Sequence, residues 1–289
     1  SDPSRSNMSE RVVAVTGANG FVGGVIARAL AESGCRVIDL GRRAAGPYEH
    51  RGYSLAMPVA DALIEDVDTV IHCAYDLSLT DARAIETVNV QGTRSLVEVA
   101  NRSAVRVVLV SSMSAYAETK QIYGQAKLRC ERIVLASGGK VLRLGLVWGS
   151  GEGGMIGTLR RLARLPLVPV FGRDLYQFTI HAEDVGAAFA KFVGDPPFGE
   201  PLGLAHPARV PFERILSYAN DGRTPRFVQV PWTPTYRALR LAELARLPLP
   251  VRADSLLGLV RPAAHVPNAG YWPEHGLQLR PFASDPDSG

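Results

Sequence analysis

A run of glycines, Thr16–Gly24 (TGANGFVGG), restricts this chain to few folds because of what flanks it. Arg11–Thr16 (RVVAVT) is nearly all apolar, as a strand buried on both faces requires. Phe21–Glu32 has helical spacing, with Val22, Val25, Ile26, Ala29 and Leu30 on one side, and Gly34 stops it. Gly17, Gly20 and Gly23 therefore mark a strand-to-helix turn as G-x-x-G-x-x-G. One such glycine lets the chain turn sharply, one lets backbone approach a diphosphate, and one lets helix and strand pack closely. The helix then offers unpaired N–H groups and its positive end to phosphate. Gly17, Asn19, Gly20, Phe21, Val22 and Gly23 are assigned on this basis to binding a dinucleotide.

The next elements alternate: strands over Arg36–Leu40, Thr69–Cys73, Arg106–Val110 and Val141–Val147, with helices over about 82–101 and 123–137. Strand, helix, strand in repetition implies a parallel sheet with right-handed crossovers. Proline then divides the chain. Three prolines fall in residues 1–145 and 17 in residues 146–289. Because proline is excluded from helix interiors and central strands, the second half must be broken into shorter pieces. Helices are expected there at Asp184–Gly194, Pro211–Asn220 and Tyr236–Leu247, the last an amphipathic surface helix with leucines at 239, 241, 244 and 247. The expected fold is α/β: a Rossmann-type doubly wound parallel sheet over 8–150, to which 178–195 returns, with a smaller, irregular substrate-binding region over 151–289. Ser1–Asn7 reads as an appended remnant ahead of a natural start at Met8.

The residues after the second strand distinguish the two nicotinamide dinucleotides. An NAD site wants an acid there for the adenosine ribose, and an NADP site wants cations for the 2′-phosphate. Asp39 lies inside the strand, while its end holds Gly41 and then Arg42 and Arg43, whose planar forks suit phosphate. The arginines favour NADP; Asp39 keeps NAD open.

Only four lysines occur, and one of them closes Tyr123-Gly124-Gln125-Ala126-Lys127 at the start of a helix, just after a strand that ends in serines. Spacing of four puts Tyr123 and Lys127 on one helical face. A fixed ammonium favours the phenolate, and a phenol so tuned can exchange a proton with a substrate hydroxyl while nicotinamide exchanges a hydride with its carbon. Ser112 would hold the same oxygen by a hydrogen bond.

With these residues in place, the chain resembles the extended short-chain dehydrogenases/reductases, the NAD(P)-dependent epimerase/dehydratase family. The matching pieces are TGANGFVGG, VIHCAYD (70–76), VNVQGT (88–93), VLVSSMSAY (108–116), YGQAKLRCE (123–131), VLRLGLVWG (141–149) and FTIHAEDV (178–185), in family order. The resemblance implies that Ser112 orients substrate, that Tyr123 is the acid/base, and that Lys127 also binds the nicotinamide ribose. It further implies that Asn89 lies near the cofactor, that Cys73 and Ala74 line the dinucleotide cleft with backbone, and that Arg42 is the arginine of NADP-using members. It also implies a homodimer through the helices near 82–101 and 123–137.

Departures from the family narrow the substrate. The Asp-Glu pair of the sugar-nucleotide dehydratases is replaced by Met113-Ser114, so loss of water from a sugar is excluded. Leu146 and Gln177 stand where epimerases of nucleotide sugars carry asparagine and a diphosphate-binding arginine. A small or apolar substrate is favoured. The leading expectation is thus an NADP-preferring reductase or dehydrogenase. A nucleotide-sugar epimerase using Tyr123 for transient oxidation is the alternative, and a non-catalytic dinucleotide sensor is the third. No metal is expected, since the six histidines show no ligand spacing, and no G-x-S-x-G elbow supports a hydrolase. A net charge of +4 without charge blocks gives no case for nucleic acid. The three cysteines (35, 73, 130) without C-x-x-C read as reduced thiols, and no apolar run is long enough to span a membrane, so a cytoplasmic protein with no membrane partner is expected.

Overall fold

The computed structural model describes residues 11–149, 153–193, 199–245, 247 and 252–283. The first half runs β1 (Val12–Thr16), α1 (Phe21–Glu32), β2 (Arg36–Gly41), β3 (Glu49–Gly52), β4 (Thr69–His72), α2 (Ala82–Ile85), α3 (Gln91–Arg102), β5 (Arg106–Ser112) and α4 (Ile122–Ala136). A π-helical turn, Glu86–Val90, joins α2 to α3. The rest holds β6 (Lys140–Leu144), β7 (Leu146–Trp148), α5 (Gly154–Ala163), β8 (Val168–Val170), β9 (Tyr176–Gln177), β10 (Thr179–His181), α6 (Ala182–Phe192), β11 (Leu202–Leu204), β12 (Val210–Pro211), α7 (Phe212–Ala219), β13 (Phe227–Gln229), α8 (Trp232–Leu244), α9 (Ala253–Val260) and α10 (Tyr271–Glu274).

Seven strands form one sheet in the order β11-β6-β5-β4-β1-β2-β3, every pair parallel. Strand order reverses beside β1, so the crevice at its carboxyl end, between β1 and β4, is the natural ligand position of such a sheet. The central strands are apolar on both faces because both are covered: Val13, Val15, Ile71 and Val108 pack toward α1 and α6, and Ala14, Val70, Val107 and Leu109 toward α3 and α4. Helix α6 packs on α1, where a Cβ at Gly186 would stand 2.7 Å from that of Ala29.

Several elements depart from the sequence-based expectation. The expected strand 141–147 is two strands. A Cβ at Gly145 would lie 2.7 Å from the Phe178 carbonyl, and here the chain leaves the main sheet to pair β7 with β10. Helix α6 begins at Ala182, two residues early, because the His181 ring accepts the Glu183 N–H and caps it. Helix α8 begins at Trp232 rather than Tyr236; Pro234 falls in its first turn, where no N–H is needed. The short strands β3 and β11 and helices α5 and α9 carry too little local pattern to be expected from sequence.

Candidate active site

The glycine turn closes as its spacing requires. Gly17 has φ +72°, donates its N–H to Leu40 O and accepts from Gly20 N, and a Cβ on Gly23 would sit 2.2 Å from Gly17 O. Helix α1 has no side-chain cap and no acid in its first turn, so its positive end faces the crevice uncompensated. These features fit a diphosphate. Gly17, Gly20, Phe21, Val22 and Gly23 are the backbone that would hold it, and Asn19 fixes the neighbouring loop by donating Nδ2 to Arg43 O at 2.5 Å.

At the end of β2 the two candidate determinants separate. Asp39 is fully buried, and its Oδ2 accepts from Ala45 N (2.8 Å) and bonds His50 Nδ1 (2.9 Å). Arg42 and Arg43 are exposed on the loop beyond. Arg42 is also close enough to Asp76, across the crevice, to help hold that carboxyl below its ordinary value, after the larger effect of the Ser78 hydrogen bonds.

Under the crevice runs a buried polar chain that sequence reasoning missed. Thr16 Oγ1 accepts from Cys73 N and Ala74 N, both at 3.0 Å, which uses its two lone pairs. Its proton must therefore point at His72 Nδ1, 2.8 Å away. His72 is then protonated on Nε2, which donates to Thr93 Oγ1 at 3.0 Å, and Thr93 donates in turn to Asn89 O at 2.8 Å. Asn89 itself clamps Asp76, accepting from its N–H on Oδ1 (2.7 Å) and donating Nδ2 to its carbonyl (3.2 Å). Asn89 thus shapes the segment after β4 through backbone contacts. Burial, with help from the Lys127 charge, lowers the His72 pKa to about 3, so the ring is neutral. Burial likewise pushes the Cys73 thiol up to about 12 against the Lys127 charge, which removes it as a nucleophile.

Tyr123 and Lys127 lie on one face of α4, with Tyr75 beside them. Strand β5 continues three residues beyond Leu109, its last residue paired with β4, and the Val110 carbonyl in that overhang accepts Lys127 Nζ at 2.9 Å. Lys127 is only 4% exposed, and its Nζ stands 4.8 Å from the Tyr75 ring centroid and 6.0 Å from that of Tyr123. The two tyrosine rings meet edge to face at 5.1 Å. A buried ammonium with one carbonyl partner and an aromatic face is costly to maintain. Such groups concentrate where chemistry needs them. Ser112 ends the same strand overhang, its Oγ accepting from Ser114 N at 3.2 Å. Met113 beyond it packs with Tyr176, Phe178, Ala205, Val266 and Ala269, so the wall past Ser112 is apolar.

Helix α4 is held in this position from several sides. A Cβ on Gly124 would stand 2.2 Å from Ser114 O, so helix and serine loop touch through backbone. Glu131 accepts from Ser111 Oγ and from Arg143 in a two-pronged ion pair. At the N-terminus no local residue caps α4. Instead the carboxylate of Asp254, in the first turn of α9, accepts from Ile122 N (2.6 Å) and Tyr123 N (3.2 Å). Sequence reasoning singles out neither Tyr75 nor Asp254. Tyr75 sits in VIHCAYD with no spacing that ties it to Tyr123; Asp254 is 131 residues from Tyr123 and carries no local signal. No cluster of metal-ligating side chains exists among the described residues.

Comparison with known proteins identifies the family to which this fold belongs. Residues 13–200 match the NAD dependent epimerase/dehydratase family. The ceramide reductase of Caulobacter vibrioides is 31% identical over 198 residues, which span 65% of this chain and 62% of that protein. The chain thus covers less than two thirds of that relative's length. Among solved structures, gox2253 superposes with a TM-score of 0.74 over 94% of each chain at 21% identity. MoeE5 in complex with UDP-glucuronic acid and NAD gives 0.65 at 25% identity, over 76% of this chain and 85% of that one. With a family match that runs from β1 to just past α6, the chain belongs to the NAD dependent epimerase/dehydratase family.

Proposed function

We propose that this enzyme interconverts a carbonyl and an alcohol on an apolar metabolite, with NADP as the preferred dinucleotide. The reading rests on one observation above all: the buried Lys127 ammonium set beneath Tyr123 and tied to the strand that carries Ser112. A bound nicotinamide supplies the hydride for the carbonyl carbon. Ser112 Oγ holds the carbonyl oxygen, Tyr123 delivers the proton to it, and Lys127 keeps the phenol oriented and polarised. The dinucleotide diphosphate rests on the Gly17–Gly23 turn, with the backbone of Cys73 and Ala74 as the opposite wall.

Substrate polarity follows from the wall past Ser112, where Met113, Phe178 and Val266 are apolar; the nearby Arg209 guanidinium is engaged, stacked over the Tyr176 ring and donating to Ala264 O. Leu146 and Gln177, where a nucleotide-sugar site needs polar recognition, support the same reading. The ceramide reductase relative points to a long-chain carbonyl among the apolar candidates. For the dinucleotide, the exposed Arg42 and Arg43 favour a 2′-phosphate, while Asp39, with Oδ2 engaged and its buried Oδ1 unpartnered, keeps a ribose contact open to NAD.

The test is oxidation of NADPH by long-chain ketones, with equimolar alcohol formed. Epimerisation of a nucleotide sugar without net dinucleotide consumption would replace this reading with the epimerase one. Arg42→Ala should weaken NADPH binding about 10- to 100-fold, the loss of a charge-assisted contact, and leave NADH binding within about twofold. Equal losses would place the 2′-phosphate elsewhere.

A further inference from the structure

The net charge of +4 is not spread evenly along the chain. Residues 222–253 carry six arginines against the single Glu243, a net +5, so the remainder of the chain sums to −1. The same segment projects the most exposed aliphatic side chains. Helix α8 buries none of its residues completely, and Leu241, Leu244 and Leu247 are 68%, 75% and 56% exposed. Arg237, Leu241 and Leu244 follow i, i+4, i+7 spacing and form one outward stripe. Arg237 has no partner among the described residues.

Three consecutive residues join this stripe to the active site. Arg252 donates to the carbonyls of Leu77 and Leu79, both at 2.9 Å, which ties the 67%-exposed Leu77 to the same segment. Ala253 N donates to Glu243 on the last turn of α8 (2.8 Å), and Asp254 caps the helix that bears Tyr123. The leucine and arginine stripe of α8 is therefore linked, through residues 252–254, both to the Leu77 loop and to the helix that bears Tyr123.

We propose that this stripe docks on an anionic lipid bilayer, the leucines entering the headgroup boundary and the arginines meeting lipid phosphates. It rests in part on the apolar substrate proposed above, which would then enter from the bilayer. Protruding leucines flanked by arginine suit a membrane surface, where apolar insertion and attraction to anionic lipid add together. A second copy of the chain is disfavoured, because a two-fold contact on this stripe would set Arg237 against its own copy. A protein partner normally meets aromatic or arginine anchors seated in pockets, whereas these leucines stand outward on a helix. The expectation of no membrane partner came from the lack of a spanning run. Among the described residues no helix is long and apolar enough to cross a bilayer, and docking on a surface needs none.

Sedimentation with vesicles tests this independently of catalysis. The full chain should pellet with mixed phosphatidylcholine–phosphatidylglycerol vesicles and stay in solution with phosphatidylcholine alone. Leu241→Ser/Leu244→Ser should reduce partitioning about tenfold or more, and Arg237→Gln about fivefold, with turnover of a water-soluble ketone unchanged. Failure of the wild-type protein to pellet with anionic vesicles would overturn the proposal, as would unchanged partitioning of the leucine variant. So would sedimentation velocity showing that the leucine substitutions dissolve an oligomer. Pelleting without ketone reduction would leave the docking standing and refute the reductase reading.

Discussion

Acidification should destabilise this protein through one imidazole. His72 is fully buried, its Nδ1 receiving the Thr16 proton and its Nε2–H spent on Thr93. A second ring proton would face a hydroxyl whose lone pairs are already occupied by Cys73 N and Ala74 N. Burial, then the Lys127 charge, lowers the folded-state pKa from 6.5 to about 3. The unfolded chain therefore takes up a proton as pH falls through 6.5, and the folded chain does not until pH nears 3. The contribution is complete well above pH 6.5 and falls by about 1.4 kcal/mol per pH unit below it, some 2 kcal/mol lost by pH 5 and about 4 kcal/mol by pH 3, where the folded ring itself titrates. Urea unfolding at pH 7.5 and 5.0 measures this, with His72→Gln as the reference, since glutamine can still accept from Thr16 and donate to Thr93. The variant should be weaker at pH 7.5 but lose about 2 kcal/mol less than wild type on acidification. Other histidines titrate in both proteins and cancel in the difference. Parallel losses would show that His72 is not held neutral by its neighbours.

Two further substitutions probe the frame around the site. Gly23→Ala puts a methyl 2.2 Å from Gly17 O; calorimetry should show dinucleotide affinity falling at least about tenfold, and unchanged affinity would mean the turn is not the binding surface. Asp254→Ala removes the cap of α4 and should cost about 1–2 kcal/mol in urea unfolding. It should lower kcat more than it raises KM for the dinucleotide, with Asp254→Asn recovering part of both losses. A purely global role would instead leave kcat untouched at temperatures where the variant is folded.

The first half of the molecule was legible because its signals are local. Glycine spacing, apolar runs and a helical stripe each lie within about a dozen residues, and their alternation implies a parallel sheet with right-handed crossovers. The expectation for Tyr123, Lys127 and Ser112 rests on equally local signals, and Lys127 lies against both the tyrosine and the strand that ends at Ser112. What was missed depends on contacts between distant segments. Asp254 reaches across from the proline-rich half to cap α4, which no window around Gln121 can show. The Thr16–His72–Thr93 chain spans three elements, and each member alone looks like an ordinary strand or helix residue. Strand β11 is three residues, Leu-Gly-Leu, too short for alternation to register, yet it completes the edge of the sheet.

The proposed chemistry depends on the Tyr123 hydroxyl, and Tyr123→Phe removes that oxygen while keeping the ring against Tyr75. Single-turnover oxidation of NADPH by the reactive ketone, measured beside NADPH affinity, tests it most directly. The rate should fall about a hundred- to ten-thousandfold, the contribution of a positioned acid, with affinity held within about twofold. A variant that turns over at the wild-type rate would contradict the assignment and move the proton donor to another group.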